Sequence, residues 1–360
     1  MKILHVVGAR PNYMKIAPIL REINKFPEEF TQVLVHTGQH YDASMSQVFF
    51  DELDLPRPDM NLEVGSGSHA WQTAQVMLRF EPIVLEIQPD WVIVVGDVNS
   101  TVACALVCTK LGVRVAHVEA GLRSFDRSMP EEINRVLTDQ IADLLFTPSE
   151  DADQNLAKEG LSPRKIHFVG NVMIDTLVQL LPKAQTKWPI LRDRFGLDQF
   201  ILVTLHRDFN VDDMKVLKVF ISTLEEIAVE IPVLFPVHPR TRSQITNFEE
   251  PPSSKGLYLL EPLGYLDFLA LEAHASLVLT DSGGIQEETT FMGVPCLTAR
   301  PNTERPITIT QGTNRLVPVE RNALTAAIRS GLTNKISTKK VPPLWDGRAA
   351  ERIISVIRDS

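Results

Sequence analysis

The sequence has few cysteines, no long apolar run and no excess of positive charge. Its 360 residues include 3 cysteines, too few for a disulfide framework or a four-cysteine zinc site. No run of 18 apolar residues occurs, so we expect no membrane span and no membrane partner. The net charge of −9 argues against non-specific nucleic-acid binding, because that class needs a basic face. We therefore expect no nucleic-acid partner, whereas an anionic small molecule is allowed.

The cysteines and the N-terminal residues narrow the expectation further. Cys104 and Cys108 lie four apart in an apolar helical stretch, which is typical of buried thiols rather than of metal ligands, and we expect no metal site. Met1 and Lys2 lead at once into an apolar run that is too short for a signal peptide. The sequence therefore predicts a cytoplasmic protein.

Short apolar runs alternate with longer periodic segments along the whole chain. The runs are continuous in Val, Ile and Leu, as expected for parallel strands with both faces covered. The predicted strands are Lys2–Val7, Phe30–Thr37, Trp91–Val95, Arg114–Val118, Leu144–Thr147, Lys165–Val169, Phe200–Thr204, Val233–Val237, Leu257–Leu260 and Leu277–Leu279. The predicted helices include Pro11–Lys25, His69–Gln88, Ser100–Leu111, Asp212–Glu230 and Tyr265–Ala273.

This alternation predicts an α/β fold with two doubly wound, Rossmann-like domains. The pattern restarts after Asn171, and Asn171–Trp188 is predicted to form a helical bridge. The expected domains are residues 1–172 and 173–344, followed by a C-terminal helix within residues 345–360 that packs back on the first domain. That helix is predicted over Trp345–Arg358. Ligands of such sheets bind at the carboxyl ends of strands, so the residues just after strands are the informative ones.

Carboxylates follow consecutive predicted strands of the first half. Asp97 follows one strand, Glu119 follows the next, and Glu131 and Glu132 open the helix after it. Each has a structural alternative, since Asp is a common helix N-cap and acidic residues suit a first helical turn. Together they indicate a site where paired carboxylates act as acid and base.

Cations also lie at strand ends. Arg10 and Lys15 flank a helix N-terminus, the wrong end for positive charge, so we expect them to face an anion rather than only solvent. His206 and Arg207 follow a strand of the second half, and His238 follows the next strand. Their position at strand ends favours a binding role over a purely structural one.

Ser282, Gly283 and Gly284 lie between a strand and a helix. Their backbone N–H groups at a helix N-terminus would suit a diphosphate, with Glu288 one turn later as an acceptor for ribose hydroxyls. A plain glycine turn is the alternative. The stretch from Gly65 to Ala70 matches a dinucleotide-binding pattern, but it lacks the buried strand before it, so a nicotinamide site is disfavoured.

Taken together, these motifs resemble those of the non-hydrolysing UDP-N-acetylglucosamine 2-epimerases. The chain carries GARPNYMK, TGQHYD, GDVNST, HVEAGLRS, MPEEINR, TLHR, PVHPR, TDSGGIQEE and TERP in the order of that family. The resemblance implies the glycosyltransferase-B architecture, in which two Rossmann-like domains face a central cleft, and a homodimer. It also implies reversible C2 epimerisation of UDP-N-acetylglucosamine to UDP-N-acetylmannosamine, through elimination and re-addition of UDP by way of 2-acetamidoglucal, without a cofactor.

The resemblance also implies roles for individual residues. Asp97, Glu119 and Glu131 would transfer protons and stabilise the oxocarbenium ion, and His206 would assist the departure of UDP. The expected substrate contacts are Arg10, Lys15, Arg135, Arg207, His238, Phe268, Ser282, Gly283, Gly284, Glu288 and Arg305. Gln39 and His40 lie in the stretch where some members of the family hold a second, activating UDP-N-acetylglucosamine.

Three other functions fit parts of the pattern. The substrate could be a modified UDP-sugar, such as a 2,3-diacetamido uronic acid, because the sequence does not reveal the ring substituents. A glycosyltransferase on the same scaffold would need an acceptor site. A nucleotide-sugar sensor would bind UDP without needing the carboxylates.

Overall fold

The computed structural model describes residues 1–38, 57–248, 252–333 and 341–360. The chain forms two compact units. Unit 1 comprises Met1–Val178 and Pro343–Ser360, and unit 2 comprises Gln179–Pro342. Each unit contains a parallel sheet with helices in the connections, so the predicted α/β fold is confirmed.

Within the described ranges, the sheet of unit 1 has 7 strands in the order β3-β2-β1-β4-β5-β6-β7. The strands are β1 Lys2–Val7, β2 Thr31–His36, β3 Met60–Asn61, β4 Trp91–Val95, β5 Arg114–Val118, β6 Leu144–Thr147 and β7 Ile166–Phe168. All five residues of β4 are buried, which explains why its sequence is continuously apolar instead of alternating. Val95 of β4 pairs with Val118 of β5, so these two strands end side by side.

The helices of unit 1 fill the connections between these strands. Among the described residues, they are Arg10–Ile23, His69–Ile87, Asn99–Leu111, Pro130–Ile141, Glu150–Lys158 and Ala349–Arg358, with Val172–Gln185 running across the boundary into unit 2. Cys104 and Cys108 are buried free thiols, as predicted. The first helix is fixed by Asn12, whose Oδ1 accepts the N–H groups of Gly8 and Ala9 and whose Nδ2 donates to the carbonyl of Val95.

The helix predicted over Trp345–Arg358 begins later, at Ala349. The indole of Trp345 is buried, and its Nε1 donates to the carbonyl oxygen of Pro148 at 2.9 Å. Asp175 accepts the backbone N–H groups of Ala349 and Ala350 at 3.1 and 2.8 Å and so caps the helix there. The predicted boundary was wrong because the capping carboxylate comes from a distant part of the chain.

In the part of unit 2 that the structure describes, the sheet has 6 strands in the order β10-β9-β8-β11-β12-β13. The strands are β8 Ile201–Thr204, β9 Val233–Pro236, β10 Leu257–Leu260, β11 Leu277–Thr280, β12 Cys296–Thr298 and β13 Asn314–Leu316. The helices are Trp188–Phe195, Asp208–Val211, Met214–Ala228, Pro239–Thr246, Tyr265–His274, Gly283–Met292, Ile307–Thr310 and Arg321–Thr333. Thr204 of β8 pairs with Thr280 of β11, which brings the ends of these strands together.

Each unit has its own apolar core between sheet and helices. Large fully buried side chains include Trp91 and Phe80 in unit 1 and Phe220 and Phe235 in unit 2. In the part of the chain that the structure describes, no helix combines the length and the apolar character needed to span a membrane.

Candidate active site

Asp97 and Glu119 lie beyond the carboxyl ends of β4 and β5. These two strands pair with each other in the sheet of unit 1, so both residues lie at the same end of the sheet. Arg135 binds Asp97 with two N–H groups, Nε at 3.0 Å and Nη2 at 2.6 Å from the same oxygen, Oδ2. Asn134 donates to the backbone carbonyl of Asp97 at 2.9 Å. The carboxylate of Asp97 is therefore held in one orientation while 23% of its side chain stays exposed.

Lys15 and Glu119 form a buried ion pair. The ammonium lies 2.6 Å from Oε2 of Glu119, and the two side chains are 7% and 3% exposed. Glu119 has φ +72, a left-handed conformation that is uncommon for a residue with a side chain and concentrates at functional sites. A Cβ at Gly96, where φ is +67, would lie 2.8 Å from the Lys15 ammonium. Lys15 thus contacts the loop before Asp97 as well, and the anion that it faces in the structure is Glu119.

Glu131 and Glu132 are neighbours in the first turn of the helix that carries Arg135, but their environments differ. Glu132 is buried and accepts hydrogen bonds from the backbone of Ser124 and Phe125 and from Arg135. Burial alone would raise the pKa of Glu132, but these donors lower it. Glu132 therefore anchors the loop, whereas Glu131 is partly exposed and lies one turn from Arg135 on the same helix face.

A buried hydrogen-bond network near these loops involves residues to which the motifs assign no role. Nδ1 of His117 lies 2.6 Å from Asp139, and Nε2 of His117 lies 2.8 Å from the carbonyl of Gly96. Arg123 lies 2.8 Å from the other oxygen of Asp139. Burial opposes ionisation of Asp139, but His117 and Arg123 lower its pKa. The imidazole thus fixes the residue just before Asp97.

In unit 2, Asp281 organises the loop after β8. Its side chain is fully buried and lies 2.9 Å from Nδ1 of His206. It also accepts the backbone N–H groups of His206 and Arg207 and the side-chain amide of Asn210. Burial would raise the pKa of Asp281, but the bonds from His206, Asn210 and Arg207 lower it.

The position of Asp281 fixes how His206 is presented. The ionised carboxylate of Asp281 accepts a hydrogen bond from the Nδ1–H group of His206, which leaves Nε2 of the half-exposed ring as the nitrogen available to a ligand. Asp281 lies in the motif TDSGG, but the motif alone did not predict a role for it. The feature that could have indicated one is its position as an acidic residue directly after a buried strand.

The helix Gly283–Met292 begins after Ser282 without a side-chain cap. The N–H of Ser282 donates to Oγ1 of Thr280 at 3.0 Å, and the predicted phosphate contact of Ser282 stays a prediction. The N-terminal turn also presents the N–H groups of Gly283 and Gly284, which have no acceptor within the helix. The positive end of the helix dipole adds to their attraction for an anion.

Arg305 packs behind this turn. A Cβ at Gly283 would lie 2.4 Å from Nη1 of Arg305, so the close approach requires glycine. Nε of Arg305 lies 2.8 Å from Glu287, and Nη1 donates to Glu304. The structure therefore places Arg305, predicted as a substrate contact, as a buried support for the glycine turn.

Glu288 lies on the helix Gly283–Met292, one turn after Gly284, and its side chain is buried, with 2% of the residue exposed. Its Oε1 accepts the hydroxyl of Tyr265 at 2.8 Å. Burial raises the pKa of Glu288. Phe268 is half-buried on the helix that carries Tyr265, three residues after it.

The remaining predicted contacts have separate settings. His238 is exposed and caps the helix Pro239–Thr246, since its Nδ1 accepts the N–H of Arg240 at 3.3 Å. Arg207 precedes the helix Asp208–Val211 and is partly buried.

Three other predicted positions are less fully described. Arg10 opens the first helix, and Gln39 and His40 lie outside the described residues. Across the described ranges, no three His, Cys, Asp or Glu side chains cluster so that they could hold a metal ion.

Known proteins match this chain over its full length. The sequence matches the UDP-N-acetylglucosamine 2-epimerase family over residues 21–358. A UDP-N-acetylglucosamine 2-epimerase from Methanocaldococcus jannaschii is 44% identical, and the match covers 99% of each sequence. A UDP-2,3-diacetamido-2,3-dideoxy-D-glucuronate 2-epimerase from Pseudomonas aeruginosa is 41% identical, over 93% of this chain and 94% of that protein.

A solved structure matches equally well. The crystal structure of the Methanocaldococcus jannaschii UDP-GlcNAc 2-epimerase in complex with UDP-GlcNAc and UDP has a TM-score of 0.90 at 42% identity, with 100% of both chains covered. This likeness confirms the predicted glycosyltransferase-B-like architecture. The chain therefore belongs to the UDP-N-acetylglucosamine 2-epimerase family, as its motifs predict, and is an isomerase.

Proposed function

We propose that this chain interconverts UDP-N-acetylglucosamine and UDP-N-acetylmannosamine by inverting carbon C2 of the sugar. The observation that carries the proposal is the pair of carboxylates at adjacent strand ends, Asp97 and Glu119, each 2.6 Å from a cation. The 44% identical relative that is named for this activity supports the same assignment.

The proposed reaction has two half-reactions. In the first, a carboxylate takes the C2 proton, the C–H electron pair forms the C1=C2 double bond, and the C1–O bond breaks with its electron pair leaving on UDP. The product is 2-acetamidoglucal. In the second, a proton adds to C2 on the opposite face and a phosphate oxygen of UDP re-forms the bond to C1. Carbon is neither oxidised nor reduced overall, so the balance needs no hydride acceptor.

Unit 1 supplies the groups for the sugar in this proposal. A C2 proton without an adjacent carbonyl is too weakly acidic for a side chain to remove, but departure of UDP makes C1 cationic and acidifies it. Asp97, Glu119 and Glu131 would stabilise that charge and move the proton. Lys15 and Arg135 hold two of these carboxylates in fixed orientations, so the negative charge is in place before the reaction begins.

Unit 2 supplies the groups for the nucleotide. The N–H groups of Gly283 and Gly284 would bind the diphosphate, and Glu288 would accept hydrogen bonds from the ribose hydroxyls. Nε2 of His206 would meet the phosphate oxygen that leaves C1 and returns to it. Asp281 would keep the imidazole oriented for that role, as a buried carboxylate does for a catalytic histidine.

A second candidate is the same reaction on a UDP-2,3-diacetamido uronic acid. The observation in its favour is the 41% identity to the Pseudomonas aeruginosa enzyme named for that substrate. Both reactions invert C2, the carbon that carries an acetamido group, so the proposed carboxylates serve either substrate. The ratio of kcat/KM for the two sugars distinguishes the candidates.

Solvent exchange tests the proposal directly. The protein is incubated in D2O with each UDP-sugar in turn, and proton NMR follows the C2 signal and the epimer. We expect deuterium at C2 of UDP-N-acetylglucosamine together with formation of UDP-N-acetylmannosamine. An unchanged C2 proton would contradict the proposal, and exchange confined to the diacetamido sugar would replace it with the second candidate.

A matched pair of variants assigns the exchange to the site. Glu119→Gln is expected to slow both exchange and epimerisation by about 10²- to 10⁴-fold, the usual contribution of a general acid or base. Glu28→Gln makes the same change at an exposed residue and should match the unmodified protein. Equal rates for the two variants would remove Glu119 from the mechanism.

Two further expectations remain predictions. We propose that the protein is a homodimer, which sedimentation would show as a particle of about twice the chain mass of 40.3 kDa. We also propose that Gln39 and His40 belong to a second UDP-N-acetylglucosamine site. In that case the conversion of UDP-N-acetylmannosamine alone should start slowly and accelerate when UDP-N-acetylglucosamine is added.

A further inference from the structure

Two buried carboxyl groups meet beside the proposed ribose site of unit 2. Glu272 lies on the helix Tyr265–His274 and is 0% exposed, and Glu288 is 2% exposed. Neither the sequence motifs nor the proposed reaction gives Glu272 a task. A fully buried carboxyl group without a task is costly, because burial penalises charge and unpaired polar atoms alike.

The surroundings of Glu272 contain almost nothing that could stabilise a negative charge. Among the described residues, no N–H or hydroxyl outside this pair donates to either oxygen of Glu272. The groups that face it are the carboxyl of Glu288 and the buried thiol of Cys296. Burial raises the pKa of Glu272 well above its ordinary value, and the nearby charge of Glu288 raises it further.

Glu288 is better supplied with donors. Tyr265 and Glu272 are seven residues apart, two helical turns, so they share one face of their helix. The hydroxyl of Tyr265 on that face donates to Oε1 of Glu288 at 2.8 Å. Two adjacent carboxyl groups in a buried site do not both ionise. Because only Glu288 has this additional donor, the proton of the pair resides on Glu272.

We propose that Glu272 is a positioning residue, which stays protonated and donates a hydrogen bond to Glu288, so that Glu288 is held as an oriented acceptor for ribose hydroxyls. The inference rests on the role proposed above for Glu288. With Tyr265 and Glu272 bonded to it, the carboxylate of Glu288 has one rotamer and directs its remaining lone pairs at the nucleotide. Its order is then established before UDP arrives, which reduces the entropy lost on binding.

The test measures the dissociation constant of UDP by isothermal titration calorimetry, using the full chain and two substitutions at one position. Glu272→Gln keeps a donor of the same length, and we expect its affinity to lie within about threefold of the unmodified protein. Glu272→Met keeps the shape without a donor, and we expect about tenfold weaker binding. For UDP-N-acetylglucosamine, KM should rise in the Met variant while kcat changes little, because the ribose is held equally in ground and transition states.

An analogue of UDP without both ribose hydroxyls separates positioning from simple structural support. If Glu272 acts through Glu288 on the ribose, Glu272→Met should leave the affinity for this analogue unchanged. The melting temperature of the Glu272→Met variant checks that the protein is folded when binding is measured. Equal losses of affinity for UDP and for the analogue, or equal losses in the Gln and Met variants, would overturn the proposal.

Glu288→Ala keeps failure of this inference distinct from failure of the proposed function. If Glu288→Ala weakens UDP binding while Glu272→Met does not, Glu272 has no positioning role and the proposed nucleotide site stands. If Glu288→Ala leaves UDP binding unchanged, the ribose role of Glu288 fails, and the inference about Glu272 fails with it.

Discussion

The substitution Asp281→Asn should damage both the stability of unit 2 and the rate of epimerisation. The buried carboxylate receives donors on both oxygens. Oδ1 of Asp281 accepts the backbone N–H of His206 and lies 2.9 Å from Nδ1 of that ring. Oδ2 accepts the backbone N–H of Arg207 at 3.0 Å and the side-chain amide of Asn210 at 2.9 Å. Asparagine has the same shape, but an NH2 group replaces one of the two carboxylate oxygens. That NH2 group would point at hydrogen-bond donors and could not accept their hydrogen bonds.

The expected magnitude follows from that geometry. Whichever end becomes the amide, two hydrogen bonds are lost, each worth about 1.5 to 3 kcal/mol when the acceptor is charged. We therefore expect the free energy of unfolding of unit 2 to fall by about 3 kcal/mol or more. When the NH2 group takes the place of Oδ1, His206 loses the bond to its Nδ1 and no longer presents Nε2 steadily, so kcat should fall about a hundredfold, at the lower end of what a general acid contributes.

Urea unfolding and steady-state kinetics check both numbers, and Asp213→Asn is the matched control. Asp213 caps the helix Met214–Ala228 at the surface, where asparagine is an equally good cap, so that variant should behave like the unmodified protein. If Asp281→Asn unfolds at the same urea concentration and turns over within twofold of the unmodified protein, the organising role of Asp281 is refuted.

The same substitution should alter the pH dependence of stability. The pKa of Asp281 is lowered on folding, so the folded state binds this proton less tightly than the unfolded chain does. Its contribution to stability is complete above the unfolded pKa, near 3.8, and is lost as the pH falls through the folded value. Asp281→Asn should lack this acid-sensitive part of the unfolding free energy, whereas Asp213→Asn should retain it.

Three further predictions concern other parts of the structure. Gly283→Ala should weaken UDP binding at least about tenfold in calorimetry, since its Cβ would lie 2.4 Å from Arg305; unchanged affinity would show that the turn can move. Lys15→Met should lower the unfolding free energy of unit 1 by about 3 to 5 kcal/mol, because Glu119 stays buried without its cation. Combining it with Glu119→Gln should recover part of that loss in urea unfolding, and strict additivity would contradict the coupling. Asp175→Ala should accelerate hydrogen exchange in the helix that it caps, while exchange in the His69–Ile87 helix, if equally accelerated, would indicate global destabilisation instead.

The fold was largely predictable because the central strands are continuous apolar runs that end at polar junctions. β4 and β5 were predicted with the observed bounds. The strands that the sequence did not reveal, such as Cys296–Thr298 and Asn314–Leu316, are three residues long and contain polar side chains. These residues form strands because they pair with neighbouring strands of the sheet. A local sequence pattern does not predict that pairing.

The places of the candidate residues in the fold were predictable where they lie just beyond strands, as Asp97 and His206 do, each two residues after a strand end. The buried acidic residues Asp139 and Glu272 were harder to recognise, because both lie within helices, where an acidic residue most often faces solvent. Each acquires its environment from a segment well removed in the chain: Asp139 contacts a histidine 22 residues away. Sequence order carries no signal for such contacts.

The helix Ala349–Arg358 belongs to unit 1, although the ribosome makes it after all of unit 2. Until this helix has been synthesised, Asp175 cannot accept hydrogen bonds from the N–H groups of Ala349 and Ala350. The surface of the helix Arg10–Ile23 that it covers stays exposed to solvent. Unit 2 is one continuous segment and can complete its core during translation. Unit 1 can complete its core only after its C-terminal segment, Pro343–Ser360, has been synthesised. Chaperones that bind the nascent chain should therefore protect the half that is translated first for longer than the half that follows it.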